Sequence, residues 1–157
     1  LRTLDIGIRD EHIQKGVTKI SNLARLQEIK SGKLKDLVKN NKLIVDGSHN
    51  EDGARALNKY LQSLDCNKHV IIGMMRNKEH EKYISYFKDV SSVTTIDLKT
   101  QPNSISGKDL KEKFKSIPNV QYQSDIEQAI KSIDLKEGDL LLITGSLYGA
   151  AEVLSLN

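Results

Sequence analysis

Short apolar runs of strand length alternate with segments of helical period from Leu43 to the end of the chain. The runs that predict strands are residues 43–45, 69–73, 93–96, 120–122 and 140–143. Strands that alternate with helices of this length form parallel βαβ units, and continuously apolar strands fit a sheet that is covered on both faces. The pattern therefore predicts an α/β fold: an open, mostly parallel sheet of about six strands with helices on both faces.

The segments between these runs carry helix signals. Apolar residues recur at spacings of three and four from Ala54 to Leu61, and further helices are predicted over residues 79–88 and around Leu110, where Pro118 ends the helix. Three polar residues predict helix starts. They are Asn50, Ser124 in a capping box with Glu127, and Ser146.

The first 40 residues have a different pattern. They predict a helix near the start, a short segment at 17–20 and another at 23–29. A lysine-rich stretch follows and predicts a solvated hairpin or loop. Its lysines are Lys33, Lys35, Lys39 and Lys42.

Length and composition exclude several classes of protein. The 157 residues fit one globular domain, and a net charge of +3 spread along the chain argues against a nucleic-acid partner. No apolar run reaches the length of a membrane span, which predicts no membrane partner. Cys66 is the only cysteine, so the chain has no disulfide framework or cysteine-rich metal site, and we expect a cytoplasmic location.

Three strand-to-helix junctions carry the polar residues suited to ligand binding. The first contains Asp46 and His49, the second contains Arg76 and Lys78, and the third contains Ser146. Ligands of an open parallel sheet bind beyond the carboxyl ends of its strands. Asp46 is placed to accept from hydroxyls such as those of a ribose, and His49 to contact a phosphate or a base. An alternative stays open at each junction, in which these groups only cap helices, satisfy backbone N–H groups or lie on the surface.

Two common phosphate-binding motifs are missing from the sequence. It contains no Gly-x-x-x-x-Gly-Lys-[Ser/Thr] loop, and no Gly-x-Gly-x-x-Gly follows a strand. A nucleotide bound here would therefore have its phosphates held elsewhere. Asp46 and His49 also have no evident third metal ligand, which predicts no metal site in this chain.

Five motifs in order resemble the C-terminal domain of the folylpolyglutamate synthase/dihydrofolate synthase family, within the Mur ligase superfamily. They are Arg-Leu-Gln at 25–27, Asp-Gly-Ser-His-Asn at 46–50, Gly-Met-Met-Arg-Asn-Lys at 73–78, Ser-Asp-Ile-Glu at 124–127 and Thr-Gly-Ser-Leu-Tyr at 144–148. The family usually has Gly where Ala24 precedes Arg25, and Ala where Ser48 stands. The resemblance implies a Rossmann-like domain of the Mur ligase C-terminal type over residues 16–157. Residues 1–15 would then be the end of an N-terminal ATPase domain and its linker.

The resemblance also implies an activity. Members of this family are ATP-dependent ligases that phosphorylate a pteroate or folate carboxylate to an acyl phosphate, which the amino group of L-glutamate then attacks. It implies an N-terminal P-loop ATPase domain as partner, which supplies the phosphate loop and most of the Mg²⁺ ligands. The implied substrates are ATP, L-glutamate and dihydropteroate or a reduced folate.

Particular residues receive roles from the same resemblance. Arg25 would neutralise the transferring γ-phosphate, Asp46 would hold the ribose, and His49 would contact the nucleotide nearby. Lys78 and Ser146 would help to bind glutamate. Two alternatives stay open: a muramyl-peptide type of amino-acid ligase, and a non-catalytic remnant or nucleotide-binding module.

Overall fold

The computed structural model describes residues 23–114, 117 and 119–157. The expected opening helix, the segment at 17–20, residues 1–15 and the helix end at Pro118 lie outside these residues. The strands within them are β1 (Gln27–Ile29), β2 (Lys42–Val45), β3 (Lys68–Ile72), β4 (Ser92–Ile96), β5 (Val120–Gln123) and β6 (Leu140–Thr144). The helices within them are α1 (Lys33–Val38), α2 (Glu51–Gln62), α3 (His80–Ile84), α4 (Gly107–Lys111), α5 (Ile126–Ser132) and α6 (Leu147–Leu156).

The strands form one sheet in the order β1-β2-β6-β3-β4-β5. Only β1 is antiparallel, and it pairs with β2 at the edge. The other four pairings are parallel. The expected open, mostly parallel sheet of six strands is therefore confirmed. Because β6 inserts between β2 and β3, the carboxyl ends of these three strands lie side by side.

Alternate residues of the central strands pack on opposite faces of the sheet. In β2, Ile44 belongs to one buried cluster, while Leu43 and Val45 belong to the other. Helices α2, α3 and α4 contribute to the first cluster, and α1, α5 and α6 contribute to the second. This arrangement confirms helices on both faces and explains why the central strands β2, β3 and β6 contain continuous apolar runs.

Two of the three expected helix caps are confirmed. The Asn50 side chain accepts from Gly53 N–H at 2.9 Å, and the Ser146 hydroxyl accepts from Tyr148 N–H at 3.1 Å. The prediction for Ser124 is wrong: Asp125 is the N-cap of α5, and its carboxylate accepts from Gln128 N–H at 2.8 Å. A charged carboxylate is the stronger acceptor at a helix start. Ser124 instead lies within hydrogen-bonding distance of that carboxylate, 3.1 Å away.

The lysine-rich stretch is not the solvated hairpin or loop that its charges predicted. Residues Lys33–Val38 form α1, which buries Leu34 and Val38 beneath it. These two residues are four apart and so lie on one face of a helix, while Lys33 is exposed and the half-buried Lys35 donates to the Asn41 carbonyl at 2.7 Å. The spacing of Leu34 and Val38 therefore determines the structure of this segment more than its high charge does.

Two predicted helices are shorter than their apolar patterns. The helix predicted over residues 79–88 is α3, which covers only His80–Ile84. Phe87 is still fully buried, but its N–H donates to the Ile84 carbonyl across a tight turn. Likewise α4 ends at Lys111, and Phe114 is buried in the segment after it. Phe87 and Phe114 remain buried beyond the helix ends because the turns that follow the helices also pack against the sheet.

A polar network joins β3, β4 and β6 at their amino ends. Asp139 is 3% exposed and accepts from Lys136 N–H at 2.7 Å and from Asn67 Nδ2 at 2.9 Å. His69 Nε2 lies 3.2 Å from the same carboxylate, and its Nδ1 lies 2.8 Å from Ser92 Oγ. The network lies at the amino ends of the strands, and the predicted site lies at their carboxyl ends. Among the described residues no helix has the length and apolarity needed to cross a membrane.

Candidate functional site

The three predicted junctions meet at the carboxyl ends of adjacent strands. Asp46 N–H donates to the Ile143 carbonyl at 2.9 Å, and Gly73 N–H donates to the Thr144 carbonyl at 3.3 Å. Gly145 N–H donates to the Ser48 carbonyl at 3.0 Å. The backbone of the β6–α6 turn is therefore bonded to those of the β2–α2 and β3–α3 turns on either side.

Arg25 is exposed on a constrained loop beside the β2–α2 turn. Its neighbours Ala24 and Leu26 both have left-handed backbones, with φ of 57° and 45°. Ala24 N–H donates to Gln27 Oε1 and Leu26 N–H donates to Asp46 Oδ2, each at 2.8 Å. Non-glycine residues keep such backbones only where their surroundings over-determine them, as at binding sites. The fold therefore presents the Arg25 side chain from a fixed base.

Asp46 holds the turn and the Arg25 loop together. Its carboxylate is 4% exposed, and Oδ1 accepts from Ser48 N–H while Oδ2 accepts from Leu26 N–H, both at 2.8 Å. The alternative in which Asp46 satisfies backbone N–H groups is thus seen directly. An ionised carboxylate has about four acceptor positions, so each oxygen keeps capacity for a further donor such as a ribose hydroxyl.

His49 is half-buried in the same turn. Its Nδ1 lies 3.0 Å from the Gly47 carbonyl oxygen, which only accepts hydrogen bonds. Nδ1 therefore carries a proton in this arrangement, and in the neutral ring Nε2 is the acceptor. The contact fixes both the tautomer and the orientation of the imidazole.

Ser146 begins α6 with its hydroxyl already engaged. The residue is 2% exposed and its hydroxyl caps the helix, as the structural alternative expected. The next two side chains, Leu147 and Tyr148, are 46% and 53% exposed. A side chain at Gly47 would overlap Leu147, so the two turns are in close contact. Ser146 is therefore brought beside the Asp46 turn, and its neighbours Leu147 and Tyr148 form the surface there.

Lys78 lies in a different environment from the other predicted residues. It is half-buried at the edge of an open depression of about 290 Å³. The depression is lined by Glu79, His80, Glu81, Lys82 and Lys113. None of these belongs to the β2–α2 or β6–α6 turn. The preceding residue of the motif, Arg76, is exposed, and its backbone N–H donates to the Asn103 carbonyl at 3.0 Å. The structure thus brings together the segments that carry Arg25, Asp46, His49 and Ser146, through contacts of their neighbouring residues, and leaves Lys78 outside that group.

Two residues of the site were missed from the sequence. Gln27 accepts from Ala24 N–H, and its position in the motif two residues after Arg25 was the only available signal. Tyr83 is fully buried on α3, and its hydroxyl donates to the Ser48 carbonyl at 3.0 Å. In the sequence it was indistinguishable from an apolar residue of the helix face, because its partner is 35 residues away.

The described part of the chain offers no cluster of three His, Cys, Asp or Glu side chains that is able to hold a metal ion. The donor set around Arg25, Asp46 and His49 instead combines a cation, a carboxylate and an imidazole. These groups suit an organic ligand with hydroxyls and negative charge.

Comparison with known proteins agrees with this architecture. The family described as "Mur ligase, glutamate ligase domain" matches residues 25–147. The dihydrofolate synthase/folylpolyglutamate synthase of Bacillus subtilis is 25% identical over 150 residues, covering 93% of this chain and 33% of the relative.

Solved structures show the same fold. The bifunctional folylpolyglutamate synthase/dihydrofolate synthase of Yersinia pestis, complexed with AMPPNP and Mn, is 23% identical with a TM-score of 0.75, covering 96% of this chain and 35% of that one. A bifunctional enzyme of the same name with Mn, AMPPNP and L-glutamate bound is 24% identical with a TM-score of 0.76, at the same coverages. The chain thus spans about a third of the length of these relatives. The motif resemblance is confirmed, and the chain belongs to the Mur ligase family as a glutamate ligase domain.

Proposed function

We propose that this chain is the glutamate ligase domain of an ATP-dependent folate–glutamate ligase. The reaction would join the amino group of L-glutamate to a pteroate or folate carboxylate that ATP has activated as an acyl phosphate. Residues 16–157 would form this domain, and residues 1–15 would be the end of an N-terminal P-loop ATPase domain and its linker. The relatives' names, and the ATP analogue and L-glutamate bound in one related structure, support the proposal.

The observation that carries the proposal is the fixed presentation of Arg25 next to Asp46. An exposed guanidinium on an over-determined loop suits charge neutralisation of a phosphate delivered by another domain. The Gly-x-x-x-x-Gly-Lys-[Ser/Thr] loop, whose glycines and lysine usually hold such phosphates, does not occur in this sequence. The P-loop domain would therefore hold the triphosphate, and closure of the two domains would bring it to Arg25.

The other site residues would divide between the two small substrates. Asp46 would accept a ribose hydroxyl, and His49 would contact the nucleotide through Nε2, since Nδ1 is engaged by Gly47. Lys78 would attract a carboxylate of glutamate by charge, and Ser146 would contribute its hydroxyl or N–H. Mg²⁺ would be held by the P-loop domain, because the described residues offer no cluster suited to it.

An ATP- and glutamate-dependent ligation assay on the complete two-domain protein tests the proposal. Replacing Arg25 with alanine is expected to lower kcat by at least about 100-fold, because a preorganised charge at the transferring group is lost. Arg55→Ala is the matched control: Arg55 is also exposed and pairs with Asp52 on α2, so its loss should change kcat less than twofold. Wild-type turnover in Arg25→Ala would refute the role of Arg25.

The ribose contact has its own test. If Asp46 accepts from the 3′-hydroxyl, the wild-type protein should prefer ATP to 3′-deoxy-ATP by about tenfold, the value of one good hydrogen bond. Asp46→Asn should reduce this preference by removing the charged acceptor. A preference that is unchanged in Asp46→Asn would leave Asp46 with only its observed role of holding the Arg25 loop.

One alternative rests on a specific feature of the sequence. A stand-alone nucleotide-binding module needs no phosphate loop of the usual type, and none is present here. Calorimetry of this chain with ATP separates the two functions, since micromolar binding without a partner domain would favour the module. Competition between folate and muramyl-peptide substrates in the ligation assay would distinguish the muramyl-peptide type of ligase.

A further inference from the structure

Tyr83 connects the two turns that carry Asp46 and Ser146. It projects from α3 and is fully buried, and its hydroxyl donates to the Ser48 carbonyl at 3.0 Å. The same hydroxyl lies 2.8 Å from Thr144 Oγ1, at the end of β6. Because a phenol has one proton and a carbonyl only accepts, the Thr144 hydroxyl is the donor in the second bond.

The Ser48 carbonyl is therefore held from two elements. It accepts from Tyr83 on α3 and from Gly145 N–H, which follows β6. Gly145 in turn has a left-handed backbone with φ of 101° and lies against the Gly73 carbonyl, which leaves no space for a side chain. The phenol thus bonds the β2–α2 turn and the end of β6, next to the Gly145 turn that packs on Gly73.

The surroundings keep the Tyr83 hydroxyl in its donor form. Burial raises the pKa of Tyr83, and the negative charge of nearby Asp46 raises it further, which outweighs the opposing effect of the hydrogen bond with Thr144. The phenol is therefore protonated at any physiological pH. The ring itself packs against Phe87, in the turn that follows α3, with ring centroids 5.3 Å apart, so the phenol is held by packing as well as by its hydrogen bonds.

We propose that Tyr83 is a positioning residue that sets the distance between the turn carrying Asp46 and His49 and the turn carrying Ser146. The inference rests on the proposed function, because those turns would hold ATP and glutamate. Tyr83 itself would touch neither substrate, since it is fully buried. Its hydroxyl acts through the Ser48 carbonyl and the end of β6.

The first test compares kinetic constants in the complete ligase. Tyr83→Phe keeps the ring and removes the hydroxyl, so the KM for ATP or for glutamate is expected to rise about tenfold, the equivalent of one buried hydrogen bond. Tyr86→Phe is the matched control, since within the described part of the chain its hydroxyl bonds an exposed carboxylate alone, that of Glu51 at 3.2 Å, and both KM values should be unchanged. Wild-type KM values in Tyr83→Phe would overturn the proposal.

A double variant separates positioning from stability. In Tyr83→Phe the Thr144 hydroxyl loses its partner, and adding Thr144→Val removes that orphaned group, so stability should recover. The KM values should remain raised, because the Ser48 carbonyl still lacks the Tyr83 donor and keeps only Gly145 N–H. If the double variant restores the KM values together with stability, the role of Tyr83 is structural only.

A measurement on this chain alone keeps the inference separate from the proposed function. Amide hydrogen exchange at Gly145 is expected to speed up about tenfold in Tyr83→Phe, while exchange at Leu140, at the amino end of β6, stays unchanged. If the wild-type ligase has no activity but the Gly145 effect appears, only the proposed function fails and Tyr83 still positions the turns. If ligation occurs and Gly145 is unaffected, only the inference fails.

Discussion

Replacing Asp139 with asparagine probes the polar network that joins the amino ends of the central strands. The buried carboxylate accepts from Lys136 N–H and His69 Nε2 through Oδ2, and from Asn67 Nδ2 through Oδ1. Asparagine has the same shape but only one oxygen. If that oxygen takes the Oδ2 position, its amide nitrogen faces the Asn67 donor, so one bond is lost and the other two lose their charged acceptor.

The magnitude follows from this count of bonds. Hydrogen bonds to charged groups contribute about 1.5–3 kcal/mol each, and neutral ones about 0.5–1.5 kcal/mol. If Asn67 rearranges so that all three bonds remain but become neutral, each loses about 1–1.5 kcal/mol, and Asp139→Asn is expected to lower the free energy of unfolding by about 3–4 kcal/mol at pH 7.

The loss should depend on pH. Burial alone would raise the pKa of Asp139, but the hydrogen bonds from Lys136, Asn67 and His69 outweigh it, and the pKa is lowered. A carboxyl whose pKa is lower in the folded state stabilises the fold above its unfolded pKa of about 3.9, and this stability is lost as the pH falls through the folded pKa. The difference between wild type and Asp139→Asn should therefore be complete at pH 7 and shrink below about pH 4.

Urea unfolding followed by circular dichroism at pH 7 and at pH 3 measures both effects. The matched control is Asp134→Asn, five residues earlier, whose side chain is 84% exposed and pairs with Lys136 on the surface. This control should change stability by less than about 0.5 kcal/mol. A loss as small in Asp139→Asn as in the control, or a loss of the same size at both pH values, would contradict the reasoning.

Three further changes test other parts of the fold by urea unfolding. Leu34→Ala should lower stability by about 2–5 kcal/mol, since Leu34 is fully buried beneath α1, and a loss under 1 kcal/mol would mean that α1 is not packed as described. Burial raises the pKa of Glu152, so its ionised form opposes folding above that pKa. Glu152→Gln should therefore unfold at a higher urea concentration than wild type at pH 7. At pH 4 the two proteins should unfold at the same urea concentration. Gly145→Ala should lower the free energy of unfolding by at least about 3 kcal/mol, because a Cβ would lie 2.7 Å from the Gly73 carbonyl oxygen. Its control is Gly138→Ala, which carries only backbone strain of about 1–2 kcal/mol. Equal losses of stability in the two variants would contradict the contact.

The sequence predicted the strands because β2, β3 and β6 each contain a continuous apolar run. It also predicted that the three junctions lie at the same end of the sheet, because the carboxyl ends of parallel strands meet there. The order of the strands was not predictable, since the insertion of β6 between β2 and β3 depends on pairing between residues about 70 to 100 positions apart. The same insertion brings Ser146 beside the Asp46 turn.

The errors have physical causes that the sequence partly contained. The spacing of Leu34 and Val38 indicated the helix α1, but the surrounding lysines led to the prediction of a solvated hairpin or loop. Asp125 replaced Ser124 as a cap because its carboxylate is the stronger acceptor. Tyr83 was not predictable, since only the folded chain reveals that its hydroxyl reaches Ser48 and Thr144.

Ala24 shows how a departure from the family pattern is accommodated. Its φ of 57° explains why glycine is usual before Arg25, because the left-handed region costs an L-residue about 1–2 kcal/mol. The loop offsets this cost locally through three hydrogen bonds, from Ala24 N–H to Gln27, from Leu26 N–H to Asp46, and from Gly47 N–H to the Ala24 carbonyl. Each contributes about 0.5–1.5 kcal/mol, so the sum is large enough to hold the strained backbone. Alanine also has fewer accessible backbone states than glycine, which restricts the loop further. For a guanidinium that would meet a phosphate supplied by another domain, such restriction is an advantage, since the loop need not be ordered when the domains close.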